Sequence, residues 1–300
     1  MQLQSSKSNH EQQKQFNACL LCGHTTLTKQ NRYSFAHLVK CANCGFVFCK
    51  LIPSVDELIA HYNTYHRNDR ISPITLKRYE ELLKSFSPYL KSGNILDVGC
   101  GNGHFLSVAK SNGWNVFGTE YTDTAMAICK SKGIKMYQGK LNPKDFGDIK
   151  FDVITSFEVL EHINNPLEEI KNFNTLLNSG GIVYLTTPNF NSLSRYVLKQ
   201  KWSIIEYPEH LSYYTANTLQ RLFNQCEFQK SFVHTTGISL NRFQQATYPL
   251  ATSHPAINND ESLREKTESN TMFSLAKKII NTLLTFSRKG DTLKAVFVKV

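Results

Sequence analysis

The sequence predicts an α/β fold: a sheet of mostly parallel strands with helices on both faces, preceded by a small zinc ribbon. Three observations predict it. From Asn94 onward, short apolar runs alternate with helical patterns, as in a sheet whose strands are buried on both sides. The first of these runs breaks into Gly99-Cys100-Gly101-Asn102-Gly103, three glycines at alternate positions between a strand and a helix. Ahead of it stand four cysteines in the pattern C-x2-C-x18-C-x2-C.

Composition sets the class. The 300 residues, 41% hydrophobic and 11% aromatic, suffice for one large globular domain and a smaller one. No apolar run reaches the roughly 18 residues of a membrane span. The segment Met1-Gln2-Leu3-Gln4-Ser5-Ser6-Lys7 lacks the apolar centre of a signal peptide. A cytoplasmic location is therefore expected, with the eight cysteines as thiols or metal ligands rather than disulfides. The formal charge of +10 is uneven: residues 1–93 carry 12 Lys/Arg against 6 Asp/Glu, residues 94–236 carry 13 against 13, and residues 237–300 carry 9 against 5. Basic flanks permit nucleic acid, an acidic carrier or an anionic membrane surface as partner, and select none of them.

Taken in order, residues 1–16 are rich in Gln, Ser and Lys and are expected to be disordered. Residues 17–52 form the ribbon. Cys19-Leu20-Leu21-Cys22-Gly23 and Cys41-Ala42-Asn43-Cys44-Gly45 are two knuckles, and four thiolates close a tetrahedron around a structural Zn²⁺ with no open position for catalysis. Between them, residues 33–40 alternate as strands do, and Cys49 is a substitute ligand or a bystander. Residues 53–93 read as a helical lid or linker. Its helix start lies at Pro53-Ser54-Val55-Asp56-Glu57-Leu58, its candidate lid residues are Tyr62, Tyr65 and His66, and Leu76, Tyr79, Leu82, Leu83 and Phe86 recur at helical spacing.

The catalytic-type domain spans 94–300. Its first strand ends near Asp97 and a helix runs to about 112. The second strand, 116–119, ends at Glu120; a helix over 124–132 and a third strand over 135–138 follow. A fourth strand over 151–156 enters Phe157-Glu158-Val159-Leu160-Glu161-His162. A helix over 166–177, a fifth strand over 182–187 closed by Pro188, a helix over 219–226, a sixth strand over 228–235 and a last strand over 294–300 complete the pattern. Residues 238–293 are an insertion, loop-like in its first half and an amphipathic helix with a basic side over 273–286.

A dinucleotide fold prefers G-x-G-x-x-G, whereas this spacing is G-x-G-x-G with Asp97 two residues upstream. That arrangement suits a ligand with both an ammonium and a carboxylate near the turn, and Glu120 stands where an acid at the second strand end binds ribose hydroxyls. With Asp97-Val98-Gly99-Cys100-Gly101-Asn102-Gly103, Gly118-Thr119-Glu120 and Glu158-Val159-Leu160-Glu161-His162, the chain resembles the class I S-adenosylmethionine-dependent methyltransferases. Within them it is most similar to the subgroup of ubiquinone-biosynthesis O-methyltransferases and polysaccharide-cluster methyltransferases. The resemblance, over roughly 75–236 and 294–300, implies a Rossmann-like seven-stranded sheet with the last strand antiparallel to its neighbours. It also implies that Asp97, Gly99, Gly101 and Gly103 hold the methionine part, that Glu120 holds the ribose, and that Phe157 joins the cofactor contacts. After the third strand the family often has an acidic residue facing adenine; here Gly139-Lys140-Leu141 follows, which leaves that contact to the backbone.

The sulfonium methyl is already activated, so the protein need only align an acceptor and take its proton. His162 is the expected base because its ordinary pKa suits transfer near neutrality. Glu158, Glu161 and His162, at i, i+3 and i+4, are expected on one helical face, with His210 approaching from the segment after the fifth strand. This set resembles the divalent-metal site of small-RNA 2′-O-methyltransferases, which implies Mg²⁺ or Mn²⁺ at Glu158, Glu161, His162 and His210.

The expected function is methyl transfer to a small-molecule, glycan or lipid-linked acceptor, at oxygen, by a protein that is cytoplasmic or peripheral at a membrane. The alternative is an RNA methyltransferase whose basic ribbon grips phosphates. Against it, Thr187-Pro188-Asn189-Phe190 is only the nearest approach to an N-P-P-Y base-flipping motif. A non-catalytic binding protein on the same fold is the third reading, and the intact glycine turn and Glu120 oppose it.

Overall fold

A computed structural model describes residues 14–54, 57, 58, 61, 71–247 and 271–300. The expected tail therefore lies largely outside the described residues, as do Tyr62, Tyr65, His66 and residues 248–270. Residues 14–16 are not tail: Phe16 N–H donates to the Lys50 carbonyl at 2.9 Å, and Ile52 N–H to that of Lys14 at 2.9 Å.

The ribbon has strands β1 (Leu27–Lys29), β2 (Leu38–Cys41) and β3 (Val47–Cys49). The alternation over 33–40 is strand only at its end, because Asn31–Ala36 is a 3₁₀ helix closed by His37 in the left-handed region. Helix α1 (Pro73–Phe86) then starts with a Ser72 cap, whose hydroxyl accepts from the Thr75 amide, and a proline at its first turn.

Next come β4 (Asn94–Val98), α2 (His104–Ser111), β5 (Asn115–Glu120), α3 (Asp123–Ser131), β6 (Lys135–Gln138), β7 (Phe151–Phe157), α4 (Pro166–Leu176) and β8 (Leu177–Pro188). After them run α5 (Leu193–Leu198), β9 (Ser212–Tyr213), α6 (Ala216–Asn224), β10 (Phe228–Thr236), α7 (Leu240–Thr247), α8 (Thr271–Ser287) and β11 (Thr292–Lys299). The first half of the insertion is thus partly helical, in α7.

Seven strands form one sheet in the order β10-β11-β8-β7-β4-β5-β6, with β11 antiparallel to both neighbours and the other pairs parallel. The seven-stranded sheet with an antiparallel last strand is the one expected. Its central strand shows why: Ile95 packs into the apolar layer beneath α1 and α2, while Leu96 and Val98 pack into the layer on the other face. The entry to β4 is fixed by one carboxylate. Asp152 Oδ2 accepts from the amides of Lys91, Ser92 and Gly93 at 2.7–2.8 Å.

The ribbon does not stand apart. Its β3 pairs with β9, Val47 opposite Tyr213 and Phe48 opposite Ser212, so a four-stranded sheet ties the ribbon to the segment ahead of α6. One apolar layer, with Phe46 and Phe48, merges with the core around Tyr214. The other, with Tyr33 and Leu38, packs on Phe190, Trp202 and Leu211.

Candidate active site

The candidate cofactor cradle is the turn from β4 into α2. Gly99, Gly101 and Gly103 have φ of +70°, +56° and +70°, a region that side chains with a Cβ adopt at a cost. A Cβ on Gly99 would stand 2.6 Å from Val159 Cγ2, and one on Gly103 2.7 Å from Cys129 Sγ. The turn is tied to β5: the Cys100 amide donates to the Thr119 carbonyl at 3.0 Å and the Gly101 amide to Glu120 Oε2 at 3.0 Å. Glu120 Oε1 also accepts from the Tyr121 amide at 2.9 Å, so the carboxylate at the second strand end is held in place before any ligand arrives.

A cleft of about 360 Å³ opens over the turn, lined by Tyr79, Asp97, Gly99, Gly101, His104 and Phe157 among others. The resemblance's cofactor residues thus meet at one place, with Glu120 on the β5 side of Gly101. Asp97 is buried, accepts from Thr155 Oγ1 at 2.7 Å, and has its carboxyl pushed up to about 8 by burial. Tyr79, Phe105 and Tyr184 surround Phe157 with ring centroids 5.1–6.1 Å away. Tyr79, Asn102, His104 and Phe105 are lining residues that the sequence did not single out. Tyr79 lies in the apolar stripe of α1, where helical spacing signals packing and nothing more.

The candidate acceptor side begins where β7 ends, and here the structure corrects the expected helix. Glu158 has φ of +52° and its amide donates to the Thr186 carbonyl at 2.9 Å, after which Leu160–His162 form one 3₁₀ turn. Left-handed backbone at Glu158 breaks the i, i+3, i+4 register, so Glu158 does not share a helical face with Glu161 and His162. Among the described residues the donor atoms that converge are those of Glu161, His162 and His210, all within 4.8 Å of one another. Glu158 stands exposed beside them.

The two rings are held in the same manner. His162 Nδ1 donates to the Glu209 carbonyl at 3.0 Å and His210 Nδ1 to that of Ile204 at 2.7 Å; the ring centroids lie 4.8 Å apart. Both rings are thereby oriented by backbone carbonyls, His162 meeting the Glu158 backbone as well, in the way that metal-ligating imidazoles are oriented. Burial, reinforced by neighbouring His210, pushes His162 down to about 3. Its ring is therefore neutral near pH 7 and a weaker base than its ordinary pKa promised. Glu161 Oε2 accepts from Thr187 Oγ1 at 2.8 Å, and burial, then the charge of Glu158, holds its carboxyl well above the usual range.

The four knuckle cysteines also converge. Cys19 and Cys44 sulfurs lie 3.5 Å apart, those of Cys22 and Cys41 3.6 Å, and all four within 4.8 Å of one another. Tetrahedral Zn–S bonds of about 2.3 Å require edges of roughly 3.8 Å, so the set fits a zinc ion. Cys49 is buried away from the cluster, its thiol pushed up to about 11, and is a bystander.

Residues 65–231, more than half of the chain, match the family described as a methyltransferase domain. The chain belongs to the class I S-adenosylmethionine-dependent methyltransferases. Two relatives are ubiquinone biosynthesis O-methyltransferases. That of Coxiella burnetii is 31% identical over 130 residues, covering 40% of this chain and 52% of the relative. That of Rickettsia bellii is 32% identical over 125 residues, again 40% and 52%. The match spans about half the length of these relatives. In fold, this methyltransferase is similar to the SAM dependent methyltransferase from Archaeoglobus fulgidus, with TM-score 0.50 and 18% identity over 75% of this chain and 94% of that one. S-adenosylmethionine is accordingly its cofactor.

Proposed function

We propose that this methyltransferase transfers a methyl group to an oxygen of a small-molecule acceptor that carries a hydroxyl beside the Glu161–His162–His210 cluster. One observation carries the proposal: the cradle and the cluster share a wall, since Gly99 lies against Val159, three residues before His162. Both therefore stand at the carboxyl edge of the parallel strands, where open α/β sheets place ligands. The relatives named for ubiquinone biosynthesis point to the same class of acceptor.

Asp97 and the amides of the glycine turn hold the methionine part, and Glu120, kept in place by the Gly101 and Tyr121 amides, accepts the ribose hydroxyls on its remaining lone pairs. Phe157 and Tyr79 exclude water from the methyl. S-adenosylmethionine supplies the activated methyl. Glu161, His162 and His210 fit a divalent ion, Mg²⁺ or Mn²⁺, which supplies positive charge that acidifies the acceptor hydroxyl. Glu158, exposed at the edge of the site, receives the proton. Mass spectrometry of phenolic, glycan and prenylated acceptors incubated with S-adenosylmethionine, with and without Mn²⁺, tests the assignment. Metal-stimulated methylation at oxygen is expected; methylation only at nitrogen or carbon, or none stimulated by metal, contradicts it.

The ribbon's zinc is structural in this proposal. Both faces of its sheet are covered by the protein's own core, which supports a scaffold rather than a grip on RNA. A lipid-linked acceptor met at a membrane surface is favoured by α8, which exposes Ile279, Ile280, Leu283 and Phe286, the last 91% exposed, between Lys278 and Arg288.

A further inference from the structure

Beside the acceptor cluster lies a second set of ligand-type side chains that neither the cradle nor the proposed chemistry uses. Its members are His61, from the helical segment ahead of α1, and Glu206 and Glu209, from the loop before β9. Their donor atoms all lie within 4.8 Å of one another. We propose that these three residues bind a divalent transition-metal ion that latches the segment carrying His61 onto the loop carrying His210.

The spacing is that of co-ligands. His61 Nε2 is 3.5 Å from Glu209 Oε2, and Glu209 Oε1 is 4.0 Å from His210 Nε2. Both separations exceed a good hydrogen bond, yet two ligands each about 2.1 Å from one ion stand roughly 3–4 Å apart. His210 supplies an independent observation. It is nine-tenths buried, its Nδ1–H is spent on the Ile204 carbonyl, and its Nε2 faces the Glu209 carboxylate at 4.0 Å, too far for a hydrogen bond.

The donor set selects the class of metal. One imidazole with two carboxylates suits Mn²⁺, Fe²⁺ or Zn²⁺ better than Ca²⁺, and two carboxylates neutralise a divalent charge. Glu206 is exposed while His61 and Glu209 are half-buried, which leaves a path for entry and room for water ligands. The Glu209 backbone carbonyl accepts from His162, so an ion on its side chain also steadies the acceptor cluster. The latch has its own ligands and does not require an ion at Glu161, His162 and His210.

Mn²⁺ titration of the zinc-loaded full chain, followed by the electron paramagnetic resonance signal of free Mn²⁺, tests it. Wild type is expected to bind one ion more than His61→Ala or Glu206→Gln, or to bind that ion at least about tenfold more tightly. Glu161→Gln leaves the latch ion bound and removes only an ion at the acceptor cluster, which separates failure of the latch from failure of the proposed chemistry. Identical isotherms for wild type, His61→Ala and Glu206→Gln overturn the latch. So does a wild type that binds no Mn²⁺, in which case a His61–Glu209 ion pair is all that the geometry holds.

Discussion

At the scale of single residues, the proposed role of Asp97 links cofactor binding to pH. Its buried carboxyl is pushed up to about 8, against an ordinary value near 4. Between those values the folded state holds the proton more tightly than the unfolded state, so stability without ligand falls as pH rises from about 4 to about 8. A ligand ammonium pairs with the ionised form. Affinity for S-adenosylmethionine should therefore rise about tenfold per unit of pH up to about 8 and then level off, and Asp97→Asn should bind weakly with no slope. Isothermal titration across that range checks both. Gly99→Ala is a second residue-scale test. Its Cβ would stand 2.6 Å from Val159 Cγ2 on a backbone at φ +70°, so it should lose about 1–3 kcal/mol of stability and weaken cofactor binding, as thermal melts and titration would report. The grouping of Asp97, Glu120 and the glycines was legible in the sequence because each depends on a turn built from neighbours in the chain. The convergence of Glu161 and His162 with His210 was visible only as a resemblance, and the expected helical face at Glu158 fails because no local periodicity reports a left-handed residue.

At the scale of elements, the strands of the large sheet were legible because each is an apolar run bounded by turns and helices. Strand β9 was not: it is two residues long and exists only because β3 pairs with it. The same pairing gives the proposed zinc site its consequence. Cys49 N–H donates to the Leu211 carbonyl at 2.8 Å, next to His210, so the ribbon holds the acceptor loop by its backbone. Cys41→Ser, or chelation, should remove zinc, lower the melting temperature by several degrees and abolish methyl transfer while leaving cofactor affinity within about threefold. Zinc content, melting curves and parallel titrations check it; a zinc-free chain of full activity contradicts it.

At the scale of the molecule, the outward apolar stripe of α8 falls in a stretch of sequence with a basic excess. The last 64 residues carry 9 Lys/Arg against 5 Asp/Glu, and Leu283 and Phe286 project from them. Vesicles containing anionic lipid should sediment the wild type and release Leu283→Ser/Phe286→Ser, with release also at high salt; equal sedimentation of both proteins, or none of either, contradicts the peripheral location. The proposed function divides labour along one sheet edge, with the donor on β4 and β5 and the acceptor on the segments after β7 and β8. Binding of S-adenosylmethionine to wild type, Glu120→Ala and His210→Ala tests that division most directly. Glu120→Ala should bind at least about tenfold more weakly than wild type, the loss of a hydrogen-bonded carboxylate, while His210→Ala should bind like wild type. Equal binding by wild type and Glu120→Ala, or a loss in His210→Ala as large as that in Glu120→Ala, would contradict it.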